Sequence, residues 1–134
     1  MITLRALILS LALPLVLGIS HSHGWEKVIV NKAFNGREIK VRAGSTIQVE
    51  LEQAGAAGYT WEIQGPDAEY FEVLSVKTQG PSDTRDLVGA PILKTWLIRT
   101  NTKGKSELRF IHYRPWEGEQ HAVETFILKV RILK

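Results

Sequence analysis

Apolar and polar residues alternate along most of the chain after residue 25. The run STIQVELE, residues 45–52, is the clearest case: Ile, Val and Leu occupy every second position from residue 47, with Gln or Glu between them. A period of two, rich in β-branched and aromatic residues, is typical of strands. Similar runs are EKVIVN, EIKVR, YTWEIQ, YFEVLSVKT, ILKTWLIRT, SELRFIHY and AVETFILKVRILK. The pattern therefore predicts seven or eight short strands.

Turn-forming residues separate these runs. The pair Asn35-Gly36 predicts a tight hairpin. Short segments rich in Gly, Pro, Asn and Asp predict further turns around residues 43–44, 65–67, 79–83 and 101–104. Many short strands with regular turns and no long helix predict an all-β domain, either a β-sandwich or a small barrel. Because no linker or internal repeat interrupts the pattern, we expect one domain.

The N-terminal residues have a different pattern. Arg5 precedes the apolar run Ala6–Gly18, and small residues follow it. This order is typical of a secretory signal peptide, and the run is shorter than the ~20 apolar residues that a membrane span needs. We expect a signal peptide over residues 1–23, a domain over residues 24–134, and a secreted or periplasmic protein without stable membrane insertion after cleavage. An uncleaved membrane anchor is the alternative.

Composition narrows the possible functions. The chain has no cysteine, so the fold must depend on its hydrophobic core, and thiol catalysis and zinc–thiolate sites are excluded. The net charge is +3, and positive and negative residues are interspersed along the chain without a basic run. Nucleic-acid binding therefore has little support, and we expect a monomer.

The residues that could carry catalysis or bind a metal are few. No G-x-S-x-G motif is present. His21 and His23 form an H-x-H pair without a third ligand nearby, whereas His112 and His121 could face each other across the neck of a hairpin. The two glutamates beside Gly118 belong to a hydrophilic turn, where carboxylates are solvated. We therefore expect no enzyme, no metal and no cofactor.

Three loops have compositions that an ordinary solvated connection does not require. The first contains five small residues before Tyr59, the second is apolar, and the third places Arg, Pro and Trp side by side. A loop without side chains can approach another surface closely, although it can also be a simple flexible turn. The second loop can alternatively be an early strand with Pro91 at an edge. Pro115 stiffens the third loop, from which Trp116 either projects or folds back on the sandwich.

The order of the three loops brings them together. In an immunoglobulin-like sandwich alternate loops lie at one end, and pairs of predicted strands separate these three. Aromatic, Arg and small apolar residues on one exposed surface are typical of protein-binding sites. The candidate binding residues are Ala54, Gly55, Ala56, Ala57, Gly58, Tyr59, Val88, Gly89, Ala90, Pro91, Arg114, Pro115 and Trp116.

These loops resemble the three motifs of the chagasin family of cysteine-protease inhibitors. The R-P-W motif is intact at residues 114–116, and the end of the first motif is intact as Gly58, Tyr59 and Trp61. The resemblance extends from about Val28 to Ile132. The sequence departs from the family in two places. The family's first motif begins with N-P-T-T, and residues 54–57 have small residues there. Its second motif is of the G-x-G type, and this chain keeps Gly89 but has Pro91 in place of the second glycine.

The resemblance implies an immunoglobulin-like β-sandwich of seven or eight strands and a reversible, tight-binding inhibitor of papain-like cysteine proteases. The three loops would then form a wedge in the active-site cleft, with residues 55–58 over the catalytic cysteine and Trp116 as an anchor. Arg114 would pair with a group of the enzyme or brace its own loop. Because the first loop lacks the polar groups of the family, a non-inhibitory binding module of the cell envelope is the alternative.

Overall fold

Eight strands form the described part of the fold, a number within the range that the alternation of the sequence predicts. The computed structural model describes residues 26–54, 57–80 and 91–134, so the predicted signal peptide lies outside the described residues. In the described chain no helix is long and apolar enough to cross a membrane. The strands are β1 (Lys27–Val30), β2 (Glu38–Arg42), β3 (Thr46–Ala54), β4 (Thr60–Gln64), β5 (Phe71–Gln79), β6 (Pro91–Thr100), β7 (Gly104–Tyr113) and β8 (Glu124–Leu133). Short 3₁₀ turns occupy Lys32–Phe34, Pro115–Glu117 and Glu119–His121.

The strands make two four-stranded sheets. Sheet A has the order β1-β3-β6-β5, and sheet B has the order β2-β8-β7-β4. The pairs β1–β3 and β2–β8 are parallel, and the other four pairs are antiparallel. Two packed sheets with alternating inward and outward residues make a β-sandwich, so the immunoglobulin-like class is confirmed and the small barrel is not formed.

The hairpin predicted at Asn35-Gly36 is wrong. These residues follow the 3₁₀ turn Lys32–Phe34 and carry the chain from β1 in sheet A to β2 in sheet B. Asn35 Oδ1 accepts a hydrogen bond of 2.9 Å from the amide of Ile127 in β8, and the Gly36 amide donates to the Ile127 carbonyl at 2.7 Å. The Asn-Gly pair thus serves as a crossover, because β1 and β2 each find a distant parallel partner instead of each other.

The core lies between the two inward faces. Trp96 of sheet A contacts Phe110 of sheet B edge to face, with ring centroids 4.8 Å apart, and Phe110 contacts Phe126 in the same way at 5.8 Å. Such pairs add about 0.5–1.5 kcal/mol each to the effect of apolar burial. Other fully buried side chains surround them: Ile47, Val49, Leu51, Trp61, Ile98, Leu108 and Leu128. This interlocked core holds the two sheets together in a chain that has no cysteine.

A buried lysine also joins the sheets. Lys94 of β6 is only 8% exposed, and its ammonium donates to the Trp61 carbonyl at 2.7 Å and to Glu62 Oε1 at 3.0 Å. It also reaches the hydroxyl of Thr60 at 3.3 Å and lies 5.4 Å from the centre of the Trp96 ring. Because Lys94 belongs to sheet A and its oxygen partners belong to β4 of sheet B, this contact fixes the first residues of β4.

We predict that Lys94→Met lowers the free energy of unfolding by about 1–3 kcal/mol, because it leaves the Trp61 carbonyl without its charged donor. Urea denaturation measures the change. Arg99→Met in the same strand is the control, since its 2.6 Å ion pair with Glu72 is at the surface and contributes at most about 1 kcal/mol. Equal losses in the two variants would contradict a special role for the buried ammonium.

Candidate functional site

The strand register gathers the three predicted loops at one end of the sandwich. Ala54, at the end of β3, lies opposite Pro91, at the start of β6. Thr60, at the start of β4, lies opposite Tyr113, at the end of β7. The first loop therefore connects sheet A to sheet B at the end of the sandwich where β6 begins and β7 ends. We call this end the tip, and its described residues are Ala54, 57–59, Pro91 and 114–117.

Eight of the thirteen predicted binding residues lie at the tip: Ala54, Ala57, Gly58, Tyr59, Pro91, Arg114, Pro115 and Trp116. The remaining five, Gly55, Ala56, Val88, Gly89 and Ala90, lie outside the described residues. The structure thus brings together residues that are about 60 positions apart in sequence. Whether they contact a protease stays a prediction.

The third loop has a firmly defined backbone. Arg114 is extended, with φ −96° and ψ 120°, as expected for a residue before proline. Pro115 then begins a 3₁₀ turn in which the Glu117 amide donates to the Arg114 carbonyl at 3.0 Å. Gly118 ends the turn with φ +88°, a left-handed conformation that favours glycine. The loop is therefore preformed in the free protein.

Arg114 braces the tip from within. Its Nε donates to the Ala57 carbonyl of the first loop at 2.8 Å, and a terminal nitrogen donates to Glu117 Oε1 at 3.0 Å. Its guanidinium also lies 4.4 Å from the centre of the Tyr59 ring. Of the two roles that the resemblance left open for Arg114, the structure thus gives it the bracing of its own loops. Glu117 is accordingly paired with Arg114 rather than simply solvated.

Trp116 projects from the tip while resting on the first loop. Its side chain is 71% exposed, the largest exposed fraction among the large apolar residues of the described chain. A Cβ added to Gly58 would overlap Cη2 of Trp116 and lie 2.8 Å from its Cζ3, so the indole ring lies directly against the Gly58 backbone. Of the two orientations considered from the sequence, the structure shows the projecting one, with the indole supported from one side.

A stack of rings supports the tip from below. The imidazole of His112 is parallel to the buried Trp61 ring, with centroids 4.8 Å apart and an interplanar angle of 7°, and it lies 5.5 Å from the Tyr59 ring. The Trp61 indole donates to the Glu52 carbonyl at 3.0 Å, and the Trp61 amide donates to Gln53 Oε1 at 2.8 Å. The sequence did not single out His112 or Gln53 for these roles, because no local pattern marks which strand His112 lies beside or which residue of the facing sheet Gln53 contacts.

The suggested pairing of His112 with His121 is wrong. His112 lies opposite Glu124 in the β7–β8 ladder, whereas His121 is exposed in a 3₁₀ turn. Two consecutive turns occupy the connection, so β8 begins after His121 and leaves it out of the ladder. Within the described ranges no three His, Asp or Glu side chains are arranged to hold a metal ion. His21 and His23 lie outside those ranges.

The sandwich carries a braced tip with an exposed tryptophan, a surface of the kind that is typical of protein-binding domains. The model of the chagasin family peptidase inhibitors, I42, matches residues 40–130 of the sequence. The chain therefore belongs to this family of peptidase inhibitors. Membership confirms the resemblance inferred from the loop motifs, and it confirms that the protein is an inhibitor rather than an enzyme.

Similar proteins agree with this assignment. Chagasin from Trypanosoma cruzi is 25% identical over 107 residues, and the match covers 76% of this chain and 94% of that protein. The cysteine protease inhibitor EhICP2 from Entamoeba histolytica superposes with a TM-score of 0.72 at 17% identity, covering 81% of this chain and 96% of EhICP2. Amebosin has a TM-score of 0.66 at 18% identity, covering 82% of this chain and 100% of amebosin. PbICP-C, solved in complex with falcipain-2, has a TM-score of 0.57 at 17% identity, covering 82% of this chain and 93% of PbICP-C.

We predict that Gly58→Ala displaces the Trp116 ring and destabilises the protein by about 1 kcal/mol or more, because alanine is strained at φ +74° and its Cβ needs the space of the indole. Gly36→Ala is the matched control: φ there is +76°, but no atom lies within 4 Å of the added Cβ. Both variants should lose stability, whereas only Gly58→Ala should shift the indole NMR signal of Trp116. An unchanged signal would contradict the contact.

The pH dependence of stability should report on His112. Burial lowers the pKa of His112 below its ordinary value of 6.5, the charge of Lys32 acts in the same direction, and the Glu124 carboxylate opposes both. As the pH falls through 6.5, the unfolded chain takes up a proton that the folded imidazole does not yet take up. The free energy of unfolding should therefore decrease between about pH 7.5 and 5.5.

Urea denaturation at both pH values tests this. His112→Phe keeps a flat ring against Trp61 but cannot titrate, so it should lose less stability than the wild type over the same range. The carboxylates titrate in both proteins and cancel in the comparison. A loss as large in His112→Phe as in the wild type would show that other groups cause the pH dependence.

Proposed function

We propose that this protein is a reversible, tight-binding inhibitor of papain-like cysteine proteases, and that its tip occupies the active-site cleft of the target. The observation that carries the proposal is the preassembled tip, in which Arg114 and Gly58 hold an exposed tryptophan on a chain of the chagasin family. The inhibitors named in the similar structures, one of them in a complex with falcipain-2, support the choice of cysteine proteases.

The backbone of the first loop suggests why it would block a protease without being a good substrate. Ala57 has φ 70° and Gly58 has φ +74°, so two consecutive residues are left-handed. A peptide that a protease cleaves lies extended in the cleft, and left-handed residues depart strongly from that conformation. The small side chains would still allow the loop to lie close to the catalytic cysteine.

Trp116 is the proposed anchor beside the cleft. Large aromatic residues at the centre of an interface often contribute most of the binding energy. Trp116 needs little ordering on binding, because Pro115 fixes the turn and the Gly58 backbone supports one side of the indole. A preformed anchor loses less conformational entropy on association, which favours tight binding.

We also propose that residues 1–23 are a signal peptide, that residues 24–134 form the mature inhibitor, and that this monomer works in the periplasm or outside the cell. The charge and apolar pattern of Arg5 and Ala6–Gly18 supports export. The binding partner would then be a cysteine protease that meets the protein in those compartments. No cofactor is needed for inhibition by steric occlusion.

Titration of papain and several cathepsin L-type enzymes tests the function. The wild type should inhibit at least one of them at micromolar or lower concentration, and inhibition should be lost on dilution because binding is reversible. A chain that folds and yet inhibits none of these enzymes would overturn the proposal and favour the non-inhibitory binding module.

In the same assay Trp116→Ala should raise the inhibition constant by about 30-fold or more, the effect of losing about 2 kcal/mol at a binding hot spot. Ile29→Ala is the control, because it truncates another apolar side chain, 55% exposed, on an edge strand of sheet A. This variant should inhibit like the wild type. An unchanged inhibition constant for a folded Trp116→Ala would remove Trp116 from the interface.

A further inference from the structure

The outer face of sheet B carries a row of like charges. Lys40 of β2 lies opposite Arg131 of β8, and Arg131 lies opposite Lys105 of β7. Their neighbours Val41 and Ile132 are buried, so the three basic residues point to solvent on three adjacent strands. Like charges directly opposite each other destabilise a sheet, so these three side chains do not stabilise the fold through one another.

Two further basic residues enlarge the row. Arg42 and Lys129 occupy outward positions on β2 and β8, and the acidic residues interspersed among the five are Glu38 and Glu107. Glu38 pairs with Arg131 at 3.2 Å. Five cations and two carboxylates leave an excess of three positive charges, and the outward Arg109 of β7 and Glu62 of β4 balance each other. The described part of this face is therefore positively charged.

An apolar side chain lies within the same surface. Leu133 is 41% exposed and lies opposite Arg42 at the end of the β2–β8 pair. Basic residues around an exposed apolar residue are typical of surfaces that bind the headgroup region of anionic membranes. The sheet also presents these side chains on one broad face rather than in a groove, which suits a planar partner better than a peptide strand.

The position of this face fits the same partner. β7 ends and β8 begins at the tip, so Gly104 and Leu133 lie at the opposite end of the sandwich. The chain enters the described fold at that end too, because the Thr46 amide donates to the Glu26 carbonyl at 2.9 Å and Thr46 begins β3.

We propose that this basic face, made of Lys40, Arg42, Lys105, Lys129, Arg131 and Leu133, binds the anionic lipid surface of a membrane and leaves the tip, which lies at the ends of the strands, uncovered. The attraction is electrostatic and peripheral, and it needs neither a membrane span nor a bound protease. The proposal therefore goes beyond the inhibitory function and does not depend on it.

Vesicle flotation tests the proposal. All forms are expressed as the full-length chain and purified alike, and the readout is the binding to phosphatidylcholine vesicles with about 30% phosphatidylglycerol relative to phosphatidylcholine alone. The wild type should prefer the anionic vesicles, and the preference should shrink as salt is raised from about 0.05 to 0.5 M, because salt screens surface charges.

Two double variants locate the effect. Lys40→Gln/Lys105→Gln removes the exposed basic residues on both sides of Arg131 and should weaken binding to anionic vesicles by about tenfold or more. Lys77→Gln/Arg99→Gln removes the same charge from sheet A and should bind like the wild type. Thermal unfolding of each variant verifies that the fold is intact.

The outcomes separate the possibilities. Equal binding of the wild type to both kinds of vesicle, or equal losses in the two double variants, would overturn the proposal. Binding to duplex DNA or heparin without binding to anionic vesicles would also overturn it, since the partner would then be a soluble polyanion. None of these measurements involves a protease, so failure here leaves the inhibitory function standing.

Discussion

The hydrogen bond from Arg114 to the Ala57 carbonyl, 2.8 Å long, is the contact on which the tip depends. It joins two loops that are separated by more than 50 residues, and it is charge-assisted, which makes it roughly twice as strong as a neutral one. Ala57 is the one residue other than glycine with positive φ in the described ranges. That conformation costs about 1 kcal/mol, so the contact with Arg114 offsets a local strain that the first loop could not sustain alone.

The use of a backbone carbonyl explains how the first loop tolerates its simple sequence. The positions that resemble the Asn and Thr of the family motif, Ala54, Ala56 and Ala57, are alanine here, yet any residue at position 57 supplies the same carbonyl oxygen to Arg114. The absence of a side chain has a further effect at Gly58. Because this residue has no Cβ, the Trp116 ring lies directly against its backbone. The first loop therefore contributes shape and support to the tip, while Trp116 is the most exposed large apolar side chain of the described residues.

Much of the fold and of the tip could be predicted because both depend on local patterns. The alternation of apolar and polar residues predicted seven or eight strands, and the composition of three loops identified the tip. The misassigned Asn35-Gly36 turn shows the limit: a local signal cannot reveal that β1 and β2 pair with distant strands in different sheets. The same limit hid Lys94, whose partners belong to the facing sheet, and the His112 stack beneath the tip.

The distribution of charge is the other property that only the register reveals. Along the sequence positive and negative residues are interspersed, but β2, β8 and β7 are aligned so that Lys40, Arg131 and Lys105 become neighbours. At the tip the opposite holds, because Arg114 is paired with Glu117 and the nearby Lys94 with Glu62. Paired charges interact weakly with a distant partner, whereas an unbalanced face attracts anions over about a Debye length. The tip and the basic face of one sandwich are therefore suited to different kinds of contact: a close, mainly apolar one at the tip and a long-range electrostatic one at the basic face.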